Sequence, residues 1–211
     1  MKTRDLIAAL AAGAGPAPRA VVARRLGPAF AAGLACSAML ALVILGPVHD
    51  PAVLAGPLWL KLGYTAALAA ATAWLAGRLA RPATSARSAA SAVGAVTTLM
   101  VAGAALVLPQ LEPAARAGYA LGHSWWVCPW AVFALSLPAR AATLRAVRGL
   151  APTRPRAAGL AAGLLAGTAG AAGYALACVE QSALFIALWY TLGIALSGAL
   201  GWLLGPRVLR W

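Results

Sequence analysis

Six runs of apolar residues, each about the length of a membrane-crossing helix, constrain this chain more than any other feature. They lie at 29–46, 58–77, 89–108, 122–140, 157–179 and 182–204. An α-helix rises ~1.5 Å per residue and the hydrocarbon core of a bilayer is ~30 Å thick, so ~20 apolar residues span it. Within lipid the backbone must satisfy its own hydrogen bonds, as a helix does. Twelve of the 14 prolines fall in or beside the connections; only Pro129 and Pro138 lie inside a run, the fourth. Proline lacks an amide hydrogen and ends or kinks a helix. The spacing therefore predicts that Pro129 bends the fourth helix near one end and that Pro138 sits near its other end. The expected fold class is all-α: a polytopic membrane protein with six transmembrane helices in one bundle over 29–204. A 1–28 arm precedes the bundle and a 205–211 tail follows it.

Composition removes the other classes. Of 211 residues, 63% are apolar and 10% are charged. A soluble domain carries about 25% charged residues, so a soluble fold of this size would lack polar side chains to face water. Disorder needs low hydrophobicity. The net charge of +13 has the sign of a nucleic-acid-binding module, but such a module is soluble and clusters its bases. Here the bases sort by side. Fifteen of the 17 Lys and Arg residues fall with the termini: Lys2, Arg4, Arg19, Arg24 and Arg25 in the arm, the loops at 78–87 and 140–156, and the tail. Lys61 and Arg116 alone fall on the other side. Basic loops stay in the cytoplasm, so both termini are expected there. Trp59, Trp125, Trp126 and Trp130 then form an outer aromatic belt, with Trp74 and Trp202 toward the inner interface. Lys2 and Arg4 ahead of Leu6 to Ala12 imitate the start of a secretory signal. That stretch is short, Asp5 interrupts its basic region, and a full span follows soon after, so it reads as an arm.

Helices in lipid need close packing rather than hydrophobic burial. Gly159, Gly163 and Gly167 recur every four residues in the fifth run; Gly193, Ser197 and Gly201 do so in the sixth. Each set makes a flat stripe, expected to pack within the bundle, with a dimer interface as the alternative. No acid, base or histidine falls in the middle of a run, and Lys61, near the outer end of the second, can snorkel. Ion-coupled transporters place ionisable groups at mid-membrane, so that class is disfavoured. No nucleophile–base pair or metal-ligand spacing appears in the cytoplasmic segments, so an enzyme is not expected. A small permease or pore, or an assembly subunit of a membrane complex, stays open.

Cys36 lies inside the first run and reads as a small buried side chain. Cys128 and Cys178 both fall toward the outer side, one in the fourth run and one at the end of the fifth. Two thiols on one rim can form a disulfide or bind a soft metal; two unrelated buried cysteines is the other reading. His123, His49, Asp50 and Glu180 lie on the same side and could complete a metal site. The residues imply no resident cofactor. In the arm, Leu6, Ile7 and Leu10 would share one face of a short helix, with Thr3 as a cap and Asp5 in the first turn. That face could dock on a partner, or lie on lipid headgroups.

The opening Met1 to Leu10, the run Gly122-His123-Ser124-Trp125-Trp126-Val127-Cys128, and the run from Tyr174 through Cys178 to Phe185 and Trp189-Tyr190 resemble, in this order, the NrsF family. These are negative regulators of sigma-F, six-span anti-sigma factors of the proteobacterial inner membrane. The resemblance covers essentially the whole chain. It implies a protein that sequesters an extracytoplasmic-function sigma factor and releases it on oxidative or heavy-metal stress sensed at Cys128 and Cys178. It implies sigma contact through Asp5, Leu6, Ile7 and Leu10, no direct contact with nucleic acid and no small-molecule substrate. The chain departs from the family pattern at Arg4 and Gly13, where acids are common, and at Ala177, where a histidine often precedes the second cysteine. The last departure weakens a metal role at that corner more than a thiol role.

Overall fold

The structure, a computed structural model, describes residues 3–13, 20–81 and 84–210. Lys2 and Arg19 of the basic arm lie outside them. Every regular element among the described residues is helical. In chain order these are α1 (Thr3–Gly13), α2 (Val21–Ile44), α3 (Pro51–Ala55), α4 (Pro57–Leu79), α5 (Arg87–Ala105), α6 (Pro113–Leu121), α7 (Cys128–Leu135), α8 (Leu137–Arg148), α9 (Pro155–Ala175) and α10 (Ala183–Val208). A 3-10 turn over Leu108–Gln110 prolongs α5, and a π turn over Ile186–Tyr190 lies within α10. Proline occupies one of the first two positions of α3, α4, α6, α7, α8 and α9, where its missing N–H would have had no partner anyway.

Among the described residues, four helices are both long and apolar enough to cross a membrane: α2, α5 with its 3-10 extension, α9 and α10. The helix α4 has the length, 23 residues, with Lys61 and Arg78 interrupting its apolar run. Helix α2 begins ahead of the expected first run, so Pro28 lies inside it. The fourth run, 122–140, is the one most reshaped. Residues 122–127 form turns, α7 starts at Cys128, and after a break at Ser136 the helix continues as α8 to Arg148. Pro129 therefore opens a helix instead of bending one. Pro138 sits at a mid-helix joint, because it has no amide hydrogen for the carbonyl four residues back. Arg140, expected in a loop, is carried into α8 and buried.

The bundle is built around α9. Helices α2, α4, α7, α8 and α10 all pack on it, while α5 leans mainly on α4. The most apolar window of α9 is 78% buried and that of α5 only 6%. Yet the buried face of α9 is mostly Ala and Gly, whereas Met39, Val43, Ile44, Trp59 and Leu99 are exposed. Water would favour the reverse. Lipid solvates bulky apolar side chains, and small residues let helices approach closely. All six belt tryptophans are exposed as well.

The two small-residue stripes face each other. A Cβ added at Gly163 would lie 2.5 Å from the Ser197 carbonyl oxygen, and one at Gly167 would lie 2.9 Å from the Ile194 Cα. Gly159 and Gly201 approach backbone to backbone in the same seam. Gly193 departs from it: its added Cβ would meet Val132 of α7 at 2.7 Å.

Candidate functional site

The end of the bundle that carries Cys128 and Cys178 is closed by two connecting segments sewn together. After α9 the chain turns back, with Ala177 and Cys178 N–H both donating to the Tyr174 carbonyl at 3.0 and 2.9 Å. Two residues on, the carboxylate of Glu180 is buried. Its Oε1 accepts from His123 N–H at 2.7 Å, Ser124 N–H at 3.0 Å and the Ser124 hydroxyl at 3.1 Å. Ser182 Oγ donates to the Tyr119 carbonyl at 2.6 Å and caps α10 by accepting from Phe185 N–H. Trp189 Nε1 donates to the Ala120 carbonyl at 2.9 Å, and its ring lies 5.6 Å from that of Trp125. The Gly-His-Ser-Trp-Trp run is thus a strap pinned by Glu180. Gly122 makes the turn possible: its φ is +59°, and an added Cβ would lie 2.6 Å from Glu180 Oε2.

The strap delivers Cys128 and the post-α9 turn delivers Cys178 into one buried cluster with Tyr64, Phe185 and the tilted ring pair of Tyr174 and Tyr190. Cys128 N–H donates to the Ser124 carbonyl at 2.9 Å, so the first turn of α7 continues directly from the residues Glu180 holds. Both thiols are free and buried, whereas Cys36 is free and exposed. The cysteine expected to be an inert core residue is therefore the exposed one.

Of the auxiliary residues, only Glu180 joins the pair. His123 turns its ring fully outward, with Nδ1 3.9 Å from Glu180 Oε1. His49 is exposed, and Asp50 is used to cap α3 through Ala52 N–H at 2.9 Å. Among the described residues no three His, Cys, Asp or Glu side chains gather as a metal-binding group.

Two basic residues in this core escaped the sequence reading. Lys61 does not snorkel; it is fully buried and donates from Nζ to the Cys178 carbonyl at 2.5 Å. Its ammonium lies within electrostatic reach of Cys178, Glu180 and Cys128. Arg140 is buried nearer the α7–α8 joint. Its Nη2 donates to Ser136 Oγ at 2.7 Å and Ser197 Oγ at 3.0 Å, and the guanidinium sits 4.6 Å from the Phe133 ring centroid. Ser197 Oγ in turn donates to the Gly163 carbonyl at 2.8 Å. Ser197 is thus both a small residue in the α9–α10 seam and a polar bridge to α8.

The opposite end of the molecule is reached through α2. Ser37 Oγ donates to the Leu135 carbonyl at 2.7 Å, at the last residue of α7. Arg25 donates from Nη1 to the Gly149 carbonyl at 2.5 Å, just past the end of α8. Helix α1 buries none of its residues, and Leu6, Ile7 and Leu10 stand exposed.

The NrsF profile, described as negative regulator of sigma F, matches residues 10–211. The chain belongs to the NrsF family. A probable anti-sigma-F factor NrsF of Azospira oryzae is 43% identical to it over 213 residues, covering 100% of both chains. The anti-sigma-F factor NrsF of Caulobacter vibrioides is 40% identical over 218 residues, again with 100% of both chains covered. No solved structure matches it. Within this NrsF-family chain the strap, both core cysteines and the α9–α10 seam all fall inside the matched region, whereas Asp5, Leu6 and Ile7 precede it.

Proposed function

We propose that this chain is a membrane-embedded anti-sigma factor. It holds a sigma factor of the extracytoplasmic-function class at the cytoplasmic face of the bacterial inner membrane. It releases that partner when oxidative or heavy-metal stress alters the thiols of Cys128 and Cys178. The observation that carries the reading is the end-to-end similarity to two anti-sigma-F factors. Six crossings, by α2, α4, α5, α7–α8, α9 and α10, put both termini on the basic, cytoplasmic side. Nothing in this role requires catalysis; the protein acts by binding.

Helix α1 has 11 residues, fewer than the ~12–15 an isolated helix needs in water. Its exposed Leu6, Ile7 and Leu10, with Asp5 in the first turn, suit an amphipathic segment that gains stability in a partner's groove. Oxidation at the thiol pair strains the strap and shifts α7, whose first residue is Cys128. A switch of this kind needs two bundle states separated by only a few kcal/mol.

Co-purification of the full chain with cytoplasmic proteins tests the binding role: a small sigma factor should come down with it, and should be lost on deletion of residues 1–20. A Cys128→Ser/Cys178→Ser variant should keep the sigma factor but no longer respond to peroxide in a sigma-dependent reporter. An unchanged response removes the sensor role, and no sigma factor in the eluate removes the reading itself.

A further inference from the structure

At the end of the bundle away from the thiols, a cavity of about 650 Å³ opens between the end of α4, the start of α5 and the start of α9. Four arginines line it: Arg78, Arg81, Arg87 and Arg154, with the hydroxyls of Thr84, Ser85 and Thr153 among them. No acid lines it, and among the described residues none of these arginines has an ion pair; the one such pair, His123–Glu180, lies at the other end of the bundle. Arg78 spends its Nε on the Ser85 carbonyl at 2.9 Å, which shapes the cavity wall. Arg81, Arg87 and Arg154 are exposed at its mouth. Four cations gathered without counter-charge raise a strong positive potential, and an anion relieves it.

A second feature says what kind of anion. An apolar groove of about 530 Å³ runs along α2 and α4 and shares Arg81 with the basic cavity. Val22, Phe30, Ala69, Ala73 and Leu165 line it. Ala69 stands twelve residues before Arg81 in the sequence. At the helical rise this is about 18 Å, against ~15 Å for the hydrocarbon depth of one leaflet. A basic pocket at the interface, opening into an apolar groove one leaflet deep, matches an amphiphile with an anionic head and an acyl tail.

We propose that this composite cavity is a binding site for one anionic phospholipid, its phosphate held by Arg81, Arg87 and Arg154 and one acyl chain laid between α2 and α4. The site rests on the bilayer reading of the fold, not on the anti-sigma role. It uses bases whose sorting to one side already serves topology; basic pockets between helices on the cytoplasmic side are suited to such headgroups. The groove also touches Ala20 and Ala23 at the start of α2.

The test uses the full chain, purified in mild detergent, delipidated, and titrated with phosphatidylglycerol, phosphatidylcholine or inorganic phosphate. Bound lipid is counted by native mass spectrometry. Saturable retention of one phosphatidylglycerol in preference to phosphatidylcholine is expected. Arg81→Gln/Arg154→Gln should weaken it roughly thirtyfold, since each basic group near an anionic surface contributes on the order of fivefold. Arg145→Gln/Arg148→Gln, which removes two exposed charges of α8 outside the cavity, should not. Ala73→Phe, which fills the groove, should also release the lipid while leaving Arg81 in place. Equal binding of phosphatidylcholine, equal losses in the two arginine pairs, or saturation by inorganic phosphate as good as by lipid overturns the site. So does a loss of sigma co-purification in Arg81→Gln/Arg154→Gln with lipid retention unchanged, which assigns the patch to the protein partner. A chain that leaves membranes without detergent overturns the bilayer reading instead.

Discussion

Gly122 shows how much one residue can decide. It carries the positive φ of the strap and sits against the Glu180 carboxylate, so it serves the carboxylate contact that helps join the two thiol-bearing segments. Alanine there places a β-carbon in a backbone region that costs about 1–3 kcal/mol and pushes on Glu180 and Phe185. Gly122→Ala is expected to lower the thermal midpoint and to speed alkylation of Cys128 by a membrane-permeant maleimide, because the strap over it loosens. An unchanged labelling rate would mean that the strap does not gate the thiols. From their place in the runs the two thiols could be put on one side, but spacing left a pair and two unrelated cysteines equally open, and only the family resemblance joined them. The burial of Lys61 and Arg140 was not legible. The carbonyl that receives Lys61 lies 117 residues away, and no local pattern tells a buried lysine from one that snorkels.

Among the elements, the seam between α9 and α10 was readable because four-residue spacing of small residues reports a helix face directly. What spacing could not give was the divergence of Gly193 onto α7: each four-residue step rotates a position by about 40° in a helix of 3.6 residues per turn, and which neighbour stands there depends on the bundle. The α7–α8 break was hidden for a related reason: Pro129 and Pro138 look alike in sequence, and which one opens a helix depends on where the strap ends. The seam makes a paired prediction. At Gly163 an added methyl would lie 2.5 Å from the Ser197 carbonyl oxygen, whereas at Gly94 of α5 nothing lies within 4 Å. Gly163→Ala should destabilise by about 1–3 kcal/mol, the range for overpacking. Gly94→Ala should stabilise by up to about 1 kcal/mol from helix propensity. Thermal unfolding in the same detergent reads both, and a Gly163 variant as stable as the parent would show that the seam yields.

Across the whole molecule, the thiols and the first turns of α2 lie at opposite ends, so any response must travel through the bundle. Helix α2 is the element that both ends bias. It is bonded to the α7–α8 unit at two heights, by Ser37 to the Leu135 carbonyl and by Arg25 to the Gly149 carbonyl. Between them, Gly33 packs so closely that its added Cβ would fall 2.5 Å from the Ala139 Cα. A shift of α7 that starts at Cys128 therefore moves α2, and the chain from α2 leads back to α1. If this is the route, removing its bonds should uncouple the ends without emptying either. Ser37→Ala and Arg25→Gln should each retain the sigma factor in co-purification and retain thiol oxidation by peroxide, yet blunt the reporter response. Mutations along such networks change coupling by about 0.5–2 kcal/mol, roughly a two- to thirtyfold change in the balance of bound and released states. Spatial intermediacy alone is weak warrant for a pathway, so the double variant carries the argument. If Ser37 and Arg25 act on one rigid α2, their combined effect should fall short of the sum of the two. Additive effects would instead place the two bonds on separate routes, and a full response in the double variant would remove α2 from the mechanism.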